Sequence, residues 1–256
     1  MGKIIAVANN KGGVGKTSTA INLGAALAEK GKTILMVDSD PQGNATSGLG
    51  LDKNNLDYTL YDLLLGEANA QDCIIKDVAE NMSLIPANMD LSGFEIDLLD
   101  SVDDRRQYLL KDEIDYVKDQ YDYIIIDCPP AVNQMTINVL TASDAVIVPI
   151  QCEYFALEGL TQLIETITKI KERLNEKLTI DGVVFTMYDS RTNLSNQVVQ
   201  DVRDNLPGEM IYNTIIPRSV RLAEAPSYGQ SILVYDPKST GAEAYRALAE
   251  EVMHKK

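Results

Sequence analysis

The stretch NNKGGVGKTS, residues 9–18, follows directly on the apolar run Ile4–Ala8. Its glycines Gly12, Gly13 and Gly15 let the backbone approach an anion without a Cβ clash. Backbone N–H groups at the start of a helix then point at that anion. Lys16 supplies a cation for the β- and γ-phosphates, and the Thr17 hydroxyl supplies a ligand for Mg²⁺. Gly12, Gly13, Val14, Gly15, Lys16, Thr17 and Ser18 therefore form a candidate nucleotide cradle. The loop departs from G-x-x-x-x-G-K-[ST] at its first position, where Asn10 stands for glycine. Asn tolerates left-handed backbone better than most residues. The alternative is a glycine-rich helix start that holds nothing. Lys11 is a further cation for which a loop already holding Lys16 has little local need.

Two other segments end in carboxylates. YDYIIIDCPP, residues 121–130, is an apolar strand closing on Asp127, the placement of a carboxylate near Mg²⁺, through water. Read alone, it is equally an ordinary strand ending at the Pro129–Pro130 turn. VDSDPQGN, residues 37–44, follows another apolar run. Asp38 and Asp40 then stand at the carboxyl end of a sheet, where ligands collect, and one of them could order an attacking water. The alternative is a helix cap or turn, which Asp-Pro often marks.

The elements that must hold these residues are legible in the periodicity. Ile4–Ala8, Thr33–Val37, Tyr123–Ile126, Ala145–Pro149, Gly182–Thr186 and Tyr212–Ile216 are short, β-branched and apolar, which predicts buried strands. Thr17–Glu29, Arg105–Lys118, Leu157–Leu174 and Leu194–Asn205 carry helical spacing. Alternation of the two predicts an α/β fold, a mostly parallel twisted sheet with helices on both faces. The more polar stretch Asp52–Ala79 is expected to be a helical excursion on the same body. With no linker and no repeat, the expectation is one domain over residues 1–256.

Composition excludes several classes. His254 is the one histidine, so imidazole base chemistry is not expected. Three scattered cysteines do not make a disulfide framework or metal knot and suit a reducing cytoplasm. No apolar run reaches membrane-spanning length, and MGKIIAVANN turns polar too soon for a signal peptide. The formal net charge of −15 argues against a whole-surface nucleic-acid binder. A local basic patch remains open, because charges beyond about 8 Å are largely screened.

Taken together, the sequence resembles the ParA/MinD family of deviant Walker-A ATPases. The resemblance rests on K-G-G-V-G-K-T with its extra lysine, DSDPQGNATSGLG, YDYIIIDCPP, LTASDAVIVPIQCEYFALEGL, TMYDSRTNL and the long C-terminal match from IIPRSVRLAEAPSYG onward. It covers nearly the whole chain and is nearest to the short chromosomal-type members, since the loop begins within ten residues of Met1. The resemblance implies ATP and Mg²⁺ as cofactors and weak intrinsic hydrolysis. It implies an ATP-dependent homodimer in which Lys11 reaches the partner's phosphates; the alternative leaves Lys11 in solvent in the monomer, and both can hold. It implies Asp40 as the residue that positions the hydrolytic water, with Lys11 and Lys16 completing the catalytic set. It also implies a place for Asp38 near Mg²⁺, with Thr17 and Asp127. By the same resemblance, Glu153 and Phe155 fall where the family makes nucleotide and dimer contacts, and Met187, Pro217 and Arg218 fall where it holds the adenine. Two departures touch the switch regions: Ala131-Val132-Asn133 follows the paired prolines where serine is frequent, and Ser39 replaces a bulkier apolar residue.

Three roles are compatible with that family. An electron-transfer role needs bridging cysteines, and Cys128 and Cys152 offer no paired motif; burial is the better reading. A membrane-positioning role needs an amphipathic anchor, but glutamates interrupt the tail GAEAYRALAEEVMHKK, which reads as a helix packed on the core, so no membrane partner is expected. A DNA-segregation role needs a basic surface. Arg191, Arg218 and Arg221 match the family's DNA-binding region, although a solvated salt bridge is the commoner fate of a lone arginine. In that role Arg191 and Arg221 on two subunits would make about four contacts to nonspecific double-stranded DNA, which predicts a salt slope of roughly −3 to −4. This role implies a ParB-type partner and a cytoplasmic, nucleoid-associated protein. The cargo, the identity of that partner and its contact residues are not legible in the sequence.

Overall fold

The computed structural model describes residues 2–98, 105–153 and 156–255. The chain opens with strand β1 (Lys3–Val7), helix α1 (Lys16–Glu29), β2 (Ile34–Asp38) and α2 (Asn44–Gly48). Then come α3 (Leu60–Leu65), α4 (Ala70–Cys73), β3 (Ile75–Ala79), β4 (Met82–Ile85), α5 (Phe94–Asp97) and α6 (Leu109–Asp115). The central strands β5 (Tyr123–Asp127) and β6 (Ala145–Gln151) are separated by α7 (Gln134–Ala142). After α8 (Ala156–Arg173), β7 (Thr179–Tyr188), α9 (Asn193–Asn205) and β8 (Ile211–Pro217), the chain ends in α10 (Val220–Glu224), α11 (Ile232–Tyr235) and α12 (Thr240–His254).

Among the described residues the strands form one eight-stranded sheet in the order β3-β4-β2-β5-β1-β6-β7-β8. Only the β3–β4 pairing is antiparallel. The expected α/β architecture is therefore present, and all six expected strands form. Two more were missed. The stretch Asp52–Ala79 is not wholly helical: after α3 and α4 it ends in the edge strand β3, whose residues are half-exposed and whose pairing with the four-residue β4 shifts register. The expected helix Arg105–Lys118 shrinks to α6. Its apolar positions Leu110, Ile114 and Val117 are buried as the spacing required, but the backbone tightens to a 3₁₀ turn at Lys118–Gln120.

Each sheet face has its own apolar core. One is built by α3, α6, α7 and α8, with Leu63, Leu110, Val139 and Leu163 buried against Ile124 and Ile126. The other places α1 and α12 over Ile5, Met36 and Ile125, with Leu23, Leu27, Tyr245 and Leu248 inside. Alternate residues of β5 face opposite cores, as a sheet buried on both sides requires. The tail is thus a core helix: Tyr245, Leu248, Ala249 and Val252 are all buried. No helix among the described residues is long and apolar enough to cross a membrane.

Candidate active site

The loop between β1 and α1 lies at the carboxyl end of the central strand, next to the ends of β5 and β6. Gly13 and Gly15 have φ of 75° and 84°, a conformation a side chain would strain. Gly15 is the N-cap of α1, so the helix begins at Lys16, with its free N–H groups turned into the loop. The loop is tied down from outside. Asn9 donates its side-chain amide to Pro149 O at 2.8 Å, and its Oδ1 accepts Lys11 N at 3.0 Å. Lys16 is buried, its Nζ donating to Lys11 O at 3.0 Å, so the ammonium is folded back across the loop where a phosphate would sit. Burial lowers its pKa, and Asp127 is the foremost group opposing that shift.

The carboxylates gather beside it. Asp38 and Asp127 are register partners at the ends of the neighbouring strands β2 and β5, and both are fully buried. Asp38 is well supplied with donors: Thr46 N and Oγ1 both reach Oδ2 at 2.8 Å, and Asp40 N reaches Oδ1 at 3.2 Å. Asp127 is not; neither of its carboxyl oxygens has a hydrogen-bond partner. Burial pushes both pKa values up, and the Asp38 charge pushes that of Asp127 further, while Thr17 and Lys16 pull it down. A buried carboxyl pair with one member unpartnered calls for a cation. Among the described residues no three His, Cys, Asp or Glu side chains converge as a protein-only cage. The arrangement therefore suits Mg²⁺, which keeps several waters and borrows substrate phosphate oxygens. Thr17, Asp38 and Asp127 are the residues that would hold it, directly or through water. Asp40 is also buried, with Oδ1 accepting Gln42 N at 2.9 Å.

Beside the loop opens a cavity of about 740 Å³, whose wall brings Gly15 and Ser18 together with Met187, Pro217 and Arg218. That volume suits a drug-sized or nucleotide-sized ligand. Met187 holds a left-handed backbone, φ 50°, unusual for a residue with a side chain. The residues expected to face an adenine therefore share one wall with the phosphate loop.

These observations converge on a phosphate loop with a cation pocket, and whole-chain comparisons agree. Residues 2–180 match a family model described as an AAA domain. The chain is 53% identical to the sporulation initiation inhibitor protein Soj of Bacillus subtilis over 252 residues, 98% of each protein. The chain belongs to the ParA/MinD family of P-loop ATPases. It is also 51% identical to the chromosome partitioning protein ParA of Caulobacter vibrioides, over 98% of this chain and 94% of that one. A cobyrinic acid a,c-diamide synthase of Mycobacterium smegmatis, solved with ADP and magnesium and again with an ATP analogue and magnesium, superposes with a TM-score of 0.85 at 39% identity, covering 98% of this chain and 93% of that one.

Several residues bear on the alternatives that the sequence reading left open. Lys11 is exposed but not unpaired: its ammonium pairs with the Glu153 carboxylate of the same chain. Phe155 lies outside the described residues. Arg191, about 85% exposed, is held by Asp189 through both its backbone and its guanidinium, and holds that carboxyl down to about 2. Arg221 lies between Glu224 and Asp236. Both arginines thus sit in salt bridges, the commoner fate of a lone arginine, and of the three arginines only Arg191 and Arg218 border the cavity beside the loop. The two departures have local explanations. Ser39 is buried, donating Oγ to Asp127 O at 2.5 Å, which locks the β2 end to the β5 end. Asn133 caps α7, accepting Thr136 N at 3.0 Å. The cysteines are all buried, with thiol pKa values pushed up. Thr46 and Thr186 escaped the sequence reading because isolated threonines carry no pattern; only Thr46's place eight residues after Asp38, in the next helix, hinted at a role.

Proposed function

We propose that this chain is a Mg²⁺-dependent ATPase that works as a DNA-partitioning switch. The observation that carries the ATPase half is the unpartnered, buried Asp127 carboxyl beside Asp38, facing Lys16 and Thr17 of the phosphate loop. The partitioning half is supported by the Soj and ParA relatives, which match the chain along almost its full length. The single sheet with a core on each face supports one domain over residues 1–256.

Lys16, released from Lys11 O, holds the β- and γ-phosphates, while the loop N–H groups from Gly12 to Ser18 cradle them. Mg²⁺, when bound, neutralises the phosphate charge that builds up as the γ-phosphoryl leaves. Asp40, near that cation pocket, orients the attacking water. Met187, Pro217 and Arg218 form the wall for the base. Lys11 leaves Glu153 and reaches the phosphates of a second copy, so that ATP favours a homodimer; an exposed ion pair is a weak competitor for a triphosphate. Pairing two copies brings Arg191, Arg218 and Arg221 onto one surface that contacts nonspecific double-stranded DNA through phosphates. A ParB-type partner stimulates hydrolysis and resets the switch. The protein works in the cytoplasm, associated with the nucleoid.

The deciding measurement is binding to a nonspecific duplex with ATP, ADP or no nucleotide across a salt series. Binding confined to the ATP state, with log K falling by roughly 3–4 per log unit of salt, is expected. The substitutions Arg191→Glu and Arg221→Glu together are expected to remove it while light scattering still reports an ATP-dependent dimer. Equal binding without nucleotide, or a gel shift that survives the double change, overturns the DNA assignment.

A further inference from the structure

We propose that Thr186 is a positioning residue for the phosphate loop, an inference that rests on the nucleotide-binding reading above. Its hydroxyl is buried at the end of β7, 2.8 Å from Val14 O and 3.1 Å from Ile150 O. A hydroxyl carries one proton, so it donates to one of these carbonyls at a time. Val14 O belongs to the peptide whose N–H is that of Gly15, the left-handed residue that turns the loop into α1. Fixing the carbonyl end of a planar peptide fixes the direction of its N–H. Thr186 therefore sets how the Gly15 N–H faces a bound phosphate.

The same residue joins that cradle to the base wall. A Cβ placed on Gly15 would lie 3.7 Å from both Thr186 Cβ and Met187 Cε, so this pair stands directly against the turn. Met187 follows Thr186 with φ of 50°, and Tyr188 O then accepts Arg218 N at 2.9 Å. Three consecutive residues of β7 thus connect the phosphate loop, the base wall and the β8 end. Valine at 186 would keep the burial and delete the donor, but its methyl must move back from Val14 O, which the hydroxyl approaches to 2.8 Å; alanine deletes the donor without that contact.

The test compares Thr186→Val, Thr186→Ser and the unaltered protein by calorimetric titration with ATP and Mg²⁺, alongside the unfolding midpoint without nucleotide. Valine is expected to weaken ATP binding about tenfold, some 1.4 kcal/mol, within the range of one lost buried hydrogen bond. Serine is expected to restore binding to within about twofold, because it keeps the hydroxyl. Equal affinity for the valine variant and the unaltered protein overturns the proposal. So does a serine variant as weak as valine, which would make the residue a packing element only. Should valine fail to fold, Thr186→Ala makes the same comparison with serine without added bulk. Absence of ATP binding by the unaltered protein sinks the nucleotide reading itself, and is seen before any variant is compared.

Discussion

The cation pocket and the arginine surface are opposite solutions to placing charge. In the pocket, Asp38, Asp127 and Lys16 are buried at strand and helix ends, and one carboxyl has no hydrogen-bond partner. On the surface, Arg191 and Arg221 are exposed and satisfied by carboxylates a few residues away. Buried, unpartnered charge costs stability that a fold retains where a ligand repays it. Exposed pairs cost almost nothing and carry little energy either way. The pocket thus announces a ligand from its own structure, whereas the surface becomes a site only when another charged body competes for the arginines.

The largest effect should come from the pocket's chemistry. Asp40→Ala is expected to lower ATP turnover by about 10² or more, the span of a residue that orients or deprotonates a nucleophile. ATP binding should persist, because Lys16 and the loop remain. A phosphate-release assay checks it, and turnover at the unaltered rate removes Asp40 from the water's path.

A smaller effect, of the reverse sign on stability, follows from Asp127. Burial raises its folded pKa above that of the unfolded chain. Between the unfolded and folded pKa values, the folded protein holds a proton that the unfolded chain releases. This group's contribution is therefore most favourable below the unfolded pKa of about 4, and is lost progressively as pH rises through the window up to the folded value. Asp127→Asn should raise the nucleotide-free unfolding midpoint at neutral pH by a few degrees, about 1–2 kcal/mol. The gain should vanish near pH 4. With ATP and Mg²⁺ the order should reverse, since only the unaltered protein gains the binding energy. A variant no more stable than the unaltered chain at pH 7.5 would mean that burial does not raise the Asp127 pKa at a cost to the fold.

The same contrast explains what could be read from sequence. β1, its loop and α1 were legible because an apolar strand, glycines and Lys16 with Thr17 lie consecutively, and local order fixes their geometry. Asp127 was legible because four apolar residues precede it on a central strand. β3 escaped because Ile75–Ala79 is an edge strand with exposed Lys76 and Asp77, so alternation is blurred, and β4 is only four residues long. The Lys11–Glu153 pair links residues far apart in sequence, and the Thr186 bond to Val14 likewise spans the sheet; neither leaves a periodic trace. The surface arginines are legible only through the family resemblance, since an exposed arginine has no environment that a sequence could encode.

The smallest effect would sharpen the contrast from the surface side. If Asp189 restrains Arg191 in the free protein, then Asp189→Asn should release the guanidinium for a phosphate. Duplex affinity in the ATP state should rise about two- to fivefold at low salt, the scale of an exposed pair. Removing any carboxylate also lowers repulsion from DNA, so the comparison needs a charge-matched control. Glu172→Gln on α8 changes the net charge equally without touching either arginine. A larger gain for Asp189→Asn than for Glu172→Gln, fading as salt screens the pair, would show that the arginine surface is held in reserve by its own neighbours. Equal gains would mean that the −15 net charge alone sets the affinity, and that Arg191 meets no phosphate.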